Sequence, residues 1–183
     1  MKIRRFIFLF TGPPATGKST IAQGVAEVLS QRAKVVHLQS DALRRMIVHP
    51  MYTKKESGVV YGSLYVLSAY FINKGYSVVV DATFPRKRQR LPFKRLALRT
   101  HSLFLIFRVT ASLQTCLLRN SERKGWQSVP PSKLVDIYKS FEEEEGQYSL
   151  DTDALNAADA SRLALNFISE VIDSEGLPSD VPT

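Results

Sequence analysis

The segment Gly-Pro-Pro-Ala-Thr-Gly-Lys-Ser-Thr at residues 12–20 constrains this chain more than any other. It satisfies G-x-x-x-x-G-K-[ST], with Gly12, Gly17, Lys18 and Ser19 at the required positions. Glycines let the backbone curl until successive N–H groups point inward at phosphate oxygens. A helix starting at the end of such a loop aims its partial positive charge at the same anion. Pro13, Pro14, Ala15, Thr16 and Thr20 complete the predicted cradle. Lys18 is placed to reach β- and γ-phosphates, and the Ser19 hydroxyl to hold Mg²⁺. The ligand this spacing calls for is a nucleoside triphosphate, taken here as ATP.

The surroundings agree. Residues 6–10, FIFLF, form an unbroken apolar run, as expected of a strand buried on both faces. After Ser19, Ile21, Val25, Val28 and Leu29 recur at helical spacing. The apolar run is too short for a secretory leader and passes straight into the loop. No segment approaches the ~18–20 apolar residues needed to span a bilayer.

Apolar runs then alternate with helical patterns. Strands are predicted at residues 34–38, 76–81, 102–109 and 147–151. Helices are predicted at 40–47 with Ser40 as cap, around Val60, Leu64, Leu67 and Phe71 as far as Gly75, and from Ser112 to about 124. Others run to about 145 after a break at 125–131, and through Leu163, Phe167 and Val171. Residues 49–55 read as a loop, and Pro92 either sits in the first turn of a helix near Leu91 or kinks one. The expected fold class is α/β: a P-loop NTPase three-layer arrangement with a five-stranded, mostly parallel sheet and helices on both faces. A chain of 183 residues is most simply one domain, here residues 1–173, with 174–183 as a flexible tail. In such sheets ligands bind at the carboxyl ends of the strands. The phosphate loop, Asp41 and Asp81 should therefore share one rim.

Asp81 ends the Val-Val-Val-Asp strand and can hold Mg²⁺ or its water shell; the plain alternative is a turn acid. Asp41 and Arg44 lie three apart, so they share a helical face. The first can accept an acceptor's hydroxyl proton and the second can clamp that acceptor; a capping acid with a surface ion pair is the other reading. Arg119 and Arg123 sit at i and i+4 near a predicted helix end, suiting a lid over the triphosphate or simply a basic helix terminus. From Ala82 to Ser121 the chain has no acidic residue, while 86–99 is strongly basic. That stretch reads equally as a track for a nucleic-acid backbone or as a solvated face with one arginine on substrate. The net charge of +8 suits either. Glu142 to Glu145 reads as a solvated helix end. Three scattered histidines and the single Cys116 support neither a metal cluster nor a disulfide, and a reducing cytoplasm is the expected setting.

With these residues assembled, the chain resembles the P-loop small kinases of the gluconate kinase, adenylylsulfate kinase and polynucleotide kinase group. The resemblance runs from Phe6 to about Ile172, through GPPATGKST, SDALR, VVVDATFPRKRQR, LLRNSERKG and YSLDTDAL. It implies an ATP- and Mg²⁺-dependent transfer to a hydroxyl acceptor. In that reading Lys18, Asp41, Arg119 and Arg123 are catalytic. Asp41, Arg44, Asp81 and Arg90 face substrate, and Ser19 and Asp81 serve the metal. A small-molecule acceptor is the leading expectation. The rivals are a polynucleotide 5′-hydroxyl or RNA-related acceptor, and a nucleotide-binding regulatory module with little transfer activity.

Overall fold

The computed structural model of the protein describes residues 5–47, 53–125 and 128–174. Five strands form one parallel sheet: β1 (Phe6–Thr11), β2 (Val35–Gln39), β3 (Ser77–Asp81), β4 (Leu103–Thr110) and β5 (Tyr148–Asp151). Their spatial order is β2-β3-β1-β4-β5. The central β1 is buried at every position, which explains why its sequence is a run rather than an alternation. In register, Phe10 of β1 and Gln39 of β2 both lie opposite Asp81 of β3. The carboxyl ends of the three strands therefore meet at one edge.

The helices divide between the two faces. α1 (Lys18–Ser30) and α7 (Ala157–Ser174) cover one, packing Ile21, Val25, Leu165 and Ile168 against Phe8, Phe10 and Phe107. α2 (Ser40–Arg45), α3 (Lys54–Asn73) and α4 (Lys87–Arg99) cover the other, with Leu64, Ile72, Phe93 and Leu96 against Ile7, Leu9 and Val80. Each such fully buried aliphatic or aromatic side chain contributes about 1.5–3 kcal/mol. α5 (Leu113–Ser121) and α6 (Pro131–Lys139) form a smaller cluster around Cys116 and Leu134 beyond β4.

Several expected boundaries move, each for a visible reason. Ser40 is not a cap; Gln39 precedes α2 and Ser40 is already helical. α3 begins at Lys54, inside the expected loop, because the Thr53 hydroxyl accepts from the Glu56 N–H. Residues 49–52 of that loop and part of the 125–131 break lie outside the described residues, as does nearly all of the expected tail. α4 begins at Lys87, well before Leu91, and continues through Pro92. Its early start has two supports: the Arg86 N–H donates to Gln89, and the Lys87 N–H donates to the Glu142 carboxylate at 2.8 Å. α5 ends at Ser121, so Arg123 lies beyond the helix that carries Arg119. α6 ends at Lys139, which leaves Glu142 to Glu145 in a connecting segment.

Three acids of that segment are engaged in ion pairs, although Glu143 and Glu145 remain exposed. Glu142 pairs with Arg86, Glu143 with Arg108, and Glu144 with Arg90. Two of these cations, Arg86 and Arg90, come from the strongly basic stretch 86–99.

Candidate active site

The phosphate loop leaves β1 at Gly12, whose φ is +152°. A Cβ here would lie 2.2 Å from the Val109 carbonyl oxygen, so only glycine fits. Gly17, at φ +86°, turns the chain into α1. Inside the turn the Thr16 hydroxyl and the Lys18 ammonium both donate to the Pro13 carbonyl, at 3.1 Å each. A brace arrives from far along the chain: the Thr152 hydroxyl, just after β5, donates to the Thr16 carbonyl at 3.0 Å.

A cleft of about 860 Å³ opens beside this loop. Pro14, Lys18 and Ser19 line it from the loop side, Asp41 and Arg44 from α2, and Asp81 from the end of β3. Arg123 closes it from beyond α5. Burial pushes the Lys18 ammonium below its ordinary value, while Asp81 and then Asp41 oppose that shift and Arg123 adds to it. The four groups thus sense one another across one space. The predicted loop glycines, Pro13, Ala15, Thr16 and Thr20 stay in the loop and the first turn of α1.

Asp81 is the residue best fitted to a cation. It is 3% exposed, and burial raises its carboxyl above the usual range. Lys18 and a hydrogen bond from the Ser19 side chain oppose the shift, while Asp41 reinforces it. Its Oδ1 is buried without a hydrogen-bond partner. A carboxylate oxygen left bare beside a serine hydroxyl and a phosphate loop is the donor pair expected for Mg²⁺. Among the described residues no cluster of three or more His, Cys, Asp or Glu offers a metal cage. Mg²⁺ held here would take its remaining ligands from phosphates and water.

Two expected site residues are placed elsewhere. Arg90 is fully buried and does not line the cleft. Its Nε donates to Glu144, its Nη1 to the Phe84 carbonyl and its Nη2 to the Glu142 carbonyl, at 2.7–2.8 Å. With its donors committed to the protein, it is a strut and not a substrate contact. Arg119 donates to the Thr152 hydroxyl and carbonyl at 2.9 and 3.0 Å. It supports the brace behind the phosphate loop, while Arg123 alone of that pair reaches the cleft.

Sequence reasoning missed Glu56, which ion-pairs with Arg44 from α3, and Thr152. It also missed Tyr61 and Lys133, which line the cleft. Burial raises the Tyr61 phenol, with hydrogen bonds involving Phe84 and Thr83 opposing. Only the acidic run at 142–145 carried a usable signal, since an acid-free basic stretch needs counter-charge from elsewhere.

A family model described as an AAA domain (AAA_33) matches residues 7–143. The chain belongs to this AAA domain family. An uncharacterized protein of Mycobacterium tuberculosis, Rv2004c, is 32% identical over 140 residues, covering 69% of this chain and 27% of that protein. The chain thus spans about a quarter of the length of the curated relatives it matches. A gluconokinase from Sinorhizobium meliloti superposes with a TM-score of 0.69 at 19% identity, over 93% of this chain and 97% of that one. The Mycobacterium tuberculosis adenylylsulfate (APS) kinase CysC, solved with AMPPNP and APS, gives 0.68 at 17% identity, over 90% and 98%. At such identities the likeness shows the fold alone, a P-loop sheet architecture that both of these kinases share.

Proposed function

We propose that the protein is an ATP- and Mg²⁺-dependent phosphotransferase acting on a hydroxyl acceptor. The observation that carries this reading is that Asp41, from α2, lines the same cleft as the phosphate loop, within electrostatic reach of Lys18. A nucleotide switch without an acceptor has no use for a carboxylate there. Lys18 and the loop amides bind the β- and γ-phosphates, and Arg123 offsets charge on the group in flight. Ser19 and Asp81 hold Mg²⁺, which when bound neutralises phosphate charge. Asp41 orients the acceptor hydroxyl and takes its proton. The acceptor oxygen forms the new bond to the γ-phosphorus as the β,γ-bridging oxygen leaves with ADP. The Mycobacterium tuberculosis APS kinase CysC, solved in complex with AMPPNP and APS, supports this reading by likeness of fold.

Asp41→Asn tests it. Turnover in a labelled-ATP transfer screen over sugars, nucleosides, amino alcohols and 5′-hydroxyl oligonucleotides should fall on the order of 10²–10⁴-fold. Calorimetric affinity for Mg·ATP should stay near the parent value. Parent-like transfer by the variant would remove Asp41 from the mechanism.

A further inference from the structure

Beside the cleft, between α3 and α4, runs a groove of about 770 Å³ lined by Tyr61, Tyr65, Pro92, Phe93 and Leu98. Its other large side chains are Gln89, Arg95 and Arg99. Arg99 is already committed, since its Nη2 donates to the Tyr65 hydroxyl at 2.7 Å. Phe93 meets Tyr65 edge-on at 5.9 Å and packs on Phe84 at 5.2 Å. A mostly apolar lining with a few polar groups is the usual character of a small-molecule site.

The groove is continuous with the cleft. Gly58, Tyr61 and Gln89 line both spaces. Tyr61 is the partition between them. Its ring packs on Phe84 at 4.7 Å, while its hydroxyl is engaged with Thr83, another residue of the cleft. Arg44 and Asp41 both act on this phenol, which places it beside the acceptor end of the cleft. A molecule with its hydroxyl at Asp41 can therefore pass Tyr61 and lay the rest of itself between α3 and α4.

The sequence of α3 keeps that groove open. From Ser57 to Asn73 it carries no charged residue, whereas a surface helix ordinarily keeps charges on its outer face. Gly58 and Gly62 stand one turn apart within it, although glycine weakens a helix interior relative to alanine. On α1 such a glycine has a packing reason, because a Cβ at Gly24 would lie 3.0 Å from the Ser161 hydroxyl. At Gly58 and Gly62 a Cβ would meet nothing within 4 Å among the described residues. Packing inside the protein does not ask for glycine there. What the missing side chains provide is room.

We propose that this groove is the second half of the acceptor site, and that the acceptor is an alcohol with an uncharged apolar body, aromatic or long aliphatic, lying between α3 and α4. This rests on the phosphotransferase reading. A sugar or polyol suits the groove poorly, because its extra hydroxyls would lose water against Phe93 and Leu98 without gaining partners. The shared wall at Tyr61 favours the acceptor over a docking protein, which would have no reason to reach Asp41. In the transfer the acceptor oxygen bonds to the γ-phosphorus, its proton passes to Asp41, and the β,γ-bridging oxygen leaves with ADP. The apolar body contributes only binding.

The test uses the full chain saturated with Mg²⁺ and AMPPNP, so that the phosphate loop is filled. Butanol, hexanol, octanol and 3-phenylpropanol are titrated by calorimetry beside glycerol and ribose. Affinity should rise about fourfold per buried methylene along the aliphatic series. With ATP in place of AMPPNP, label should pass to the longer alcohols in preference to glycerol and ribose. Gly62→Leu puts a side chain into the groove where there is space for it, and leucine is the better helix former. Gly62 does not line the cleft, so the variant should fold, bind Mg·AMPPNP and phosphorylate butanol as the parent does. Its affinity for octanol and 3-phenylpropanol should fall about tenfold or more. Equal affinity along the series, with label passing to glycerol or ribose, overturns the apolar subsite and leaves the phosphotransferase reading standing. Binding that depends on chain length and on Gly62, with no label passing to any compound, overturns the phosphotransferase reading and the acceptor assignment with it. Transfer confined to 5′-hydroxyl oligonucleotides overturns the small-molecule class. A Gly62→Leu variant that sediments differently from the parent yet binds octanol equally well assigns the groove to a protein partner and overturns the proposal.

Discussion

Arg44 and Arg90 are buried to a similar depth, 6% and 0% exposed, and each is paired with a glutamate. Their surroundings differ. Arg44 is held by Glu56 and Ser57 on α3 and still lines the cleft. Arg90 is shared among two backbone carbonyls and Glu144, away from the cleft, and Phe141 lies over its guanidinium. Burial of an arginine therefore does not mark a site. What marks it is whether the remaining face of the guanidinium opens onto space that a ligand can fill.

The contrast breaks most readily at Arg90. Arg90→Met strands Glu144 and two carbonyls, and should cost about 3–5 kcal/mol of stability, read as a lowered urea midpoint. Transfer per folded molecule should be unchanged. The double variant Arg90→Met with Glu144→Leu should recover only part of the loss, because the lone carboxylate is gone while the Phe84 and Glu142 carbonyls stay without their donor. A stable Arg90→Met protein with lost transfer would reverse the roles assigned to the two arginines.

The opposite outcome is expected on the other side. The double variant Arg44→Gln with Glu56→Gln keeps a neutral pair, so stability should move by only about 1 kcal/mol. The acceptor KM should rise on the order of tenfold or more, the worth of a lost charge-assisted contact. Mg·ATP affinity should hold. A large loss of stability with unchanged KM would make Arg44 a second strut.

Arg119→Met sharpens the comparison with a third arginine. Losing two hydrogen bonds to Thr152 should lower stability by about 1–2 kcal/mol. Hydrogen exchange should rise at the phosphate loop, which Thr152 braces, and unchanged protection there would separate the brace from the loop.

The smallest effect concerns pH. His37 on β2 has its Nδ1 2.8 Å from the Gln23 side-chain oxygen, while its Nε2 is buried without a partner. Burial pushes the imidazole down from 6.5 to about 4, with Glu27 opposing. Between these values the unfolded chain binds more protons than the folded one, so stability is full above pH 6.5 and falls as pH drops toward 4. His37→Gln should flatten that part of the stability–pH curve, and an unchanged slope would assign it to other groups.

What the sequence by itself determined was whatever depends on short spacing. The glycine loop, the buried run FIFLF and the acid at the end of Val-Val-Val-Asp each encode local backbone or burial, and they led to a parallel P-loop sheet with Lys18, Asp41 and Asp81 on one rim. The early start of α4 was not legible, because one of its anchors, Glu142, is 55 residues away. Nor was the split between Arg119 and Arg123, since α5 stops at Ser121 and helical spacing no longer relates them. Arg90 looked like a substrate contact beside Arg86 and Arg88, yet the return of the acidic segment after α6 encloses it. Tertiary structure decided which charges pair with the protein and which remain facing the cleft. That choice follows from which distant segments fold against each cation, and local pattern carries no record of it.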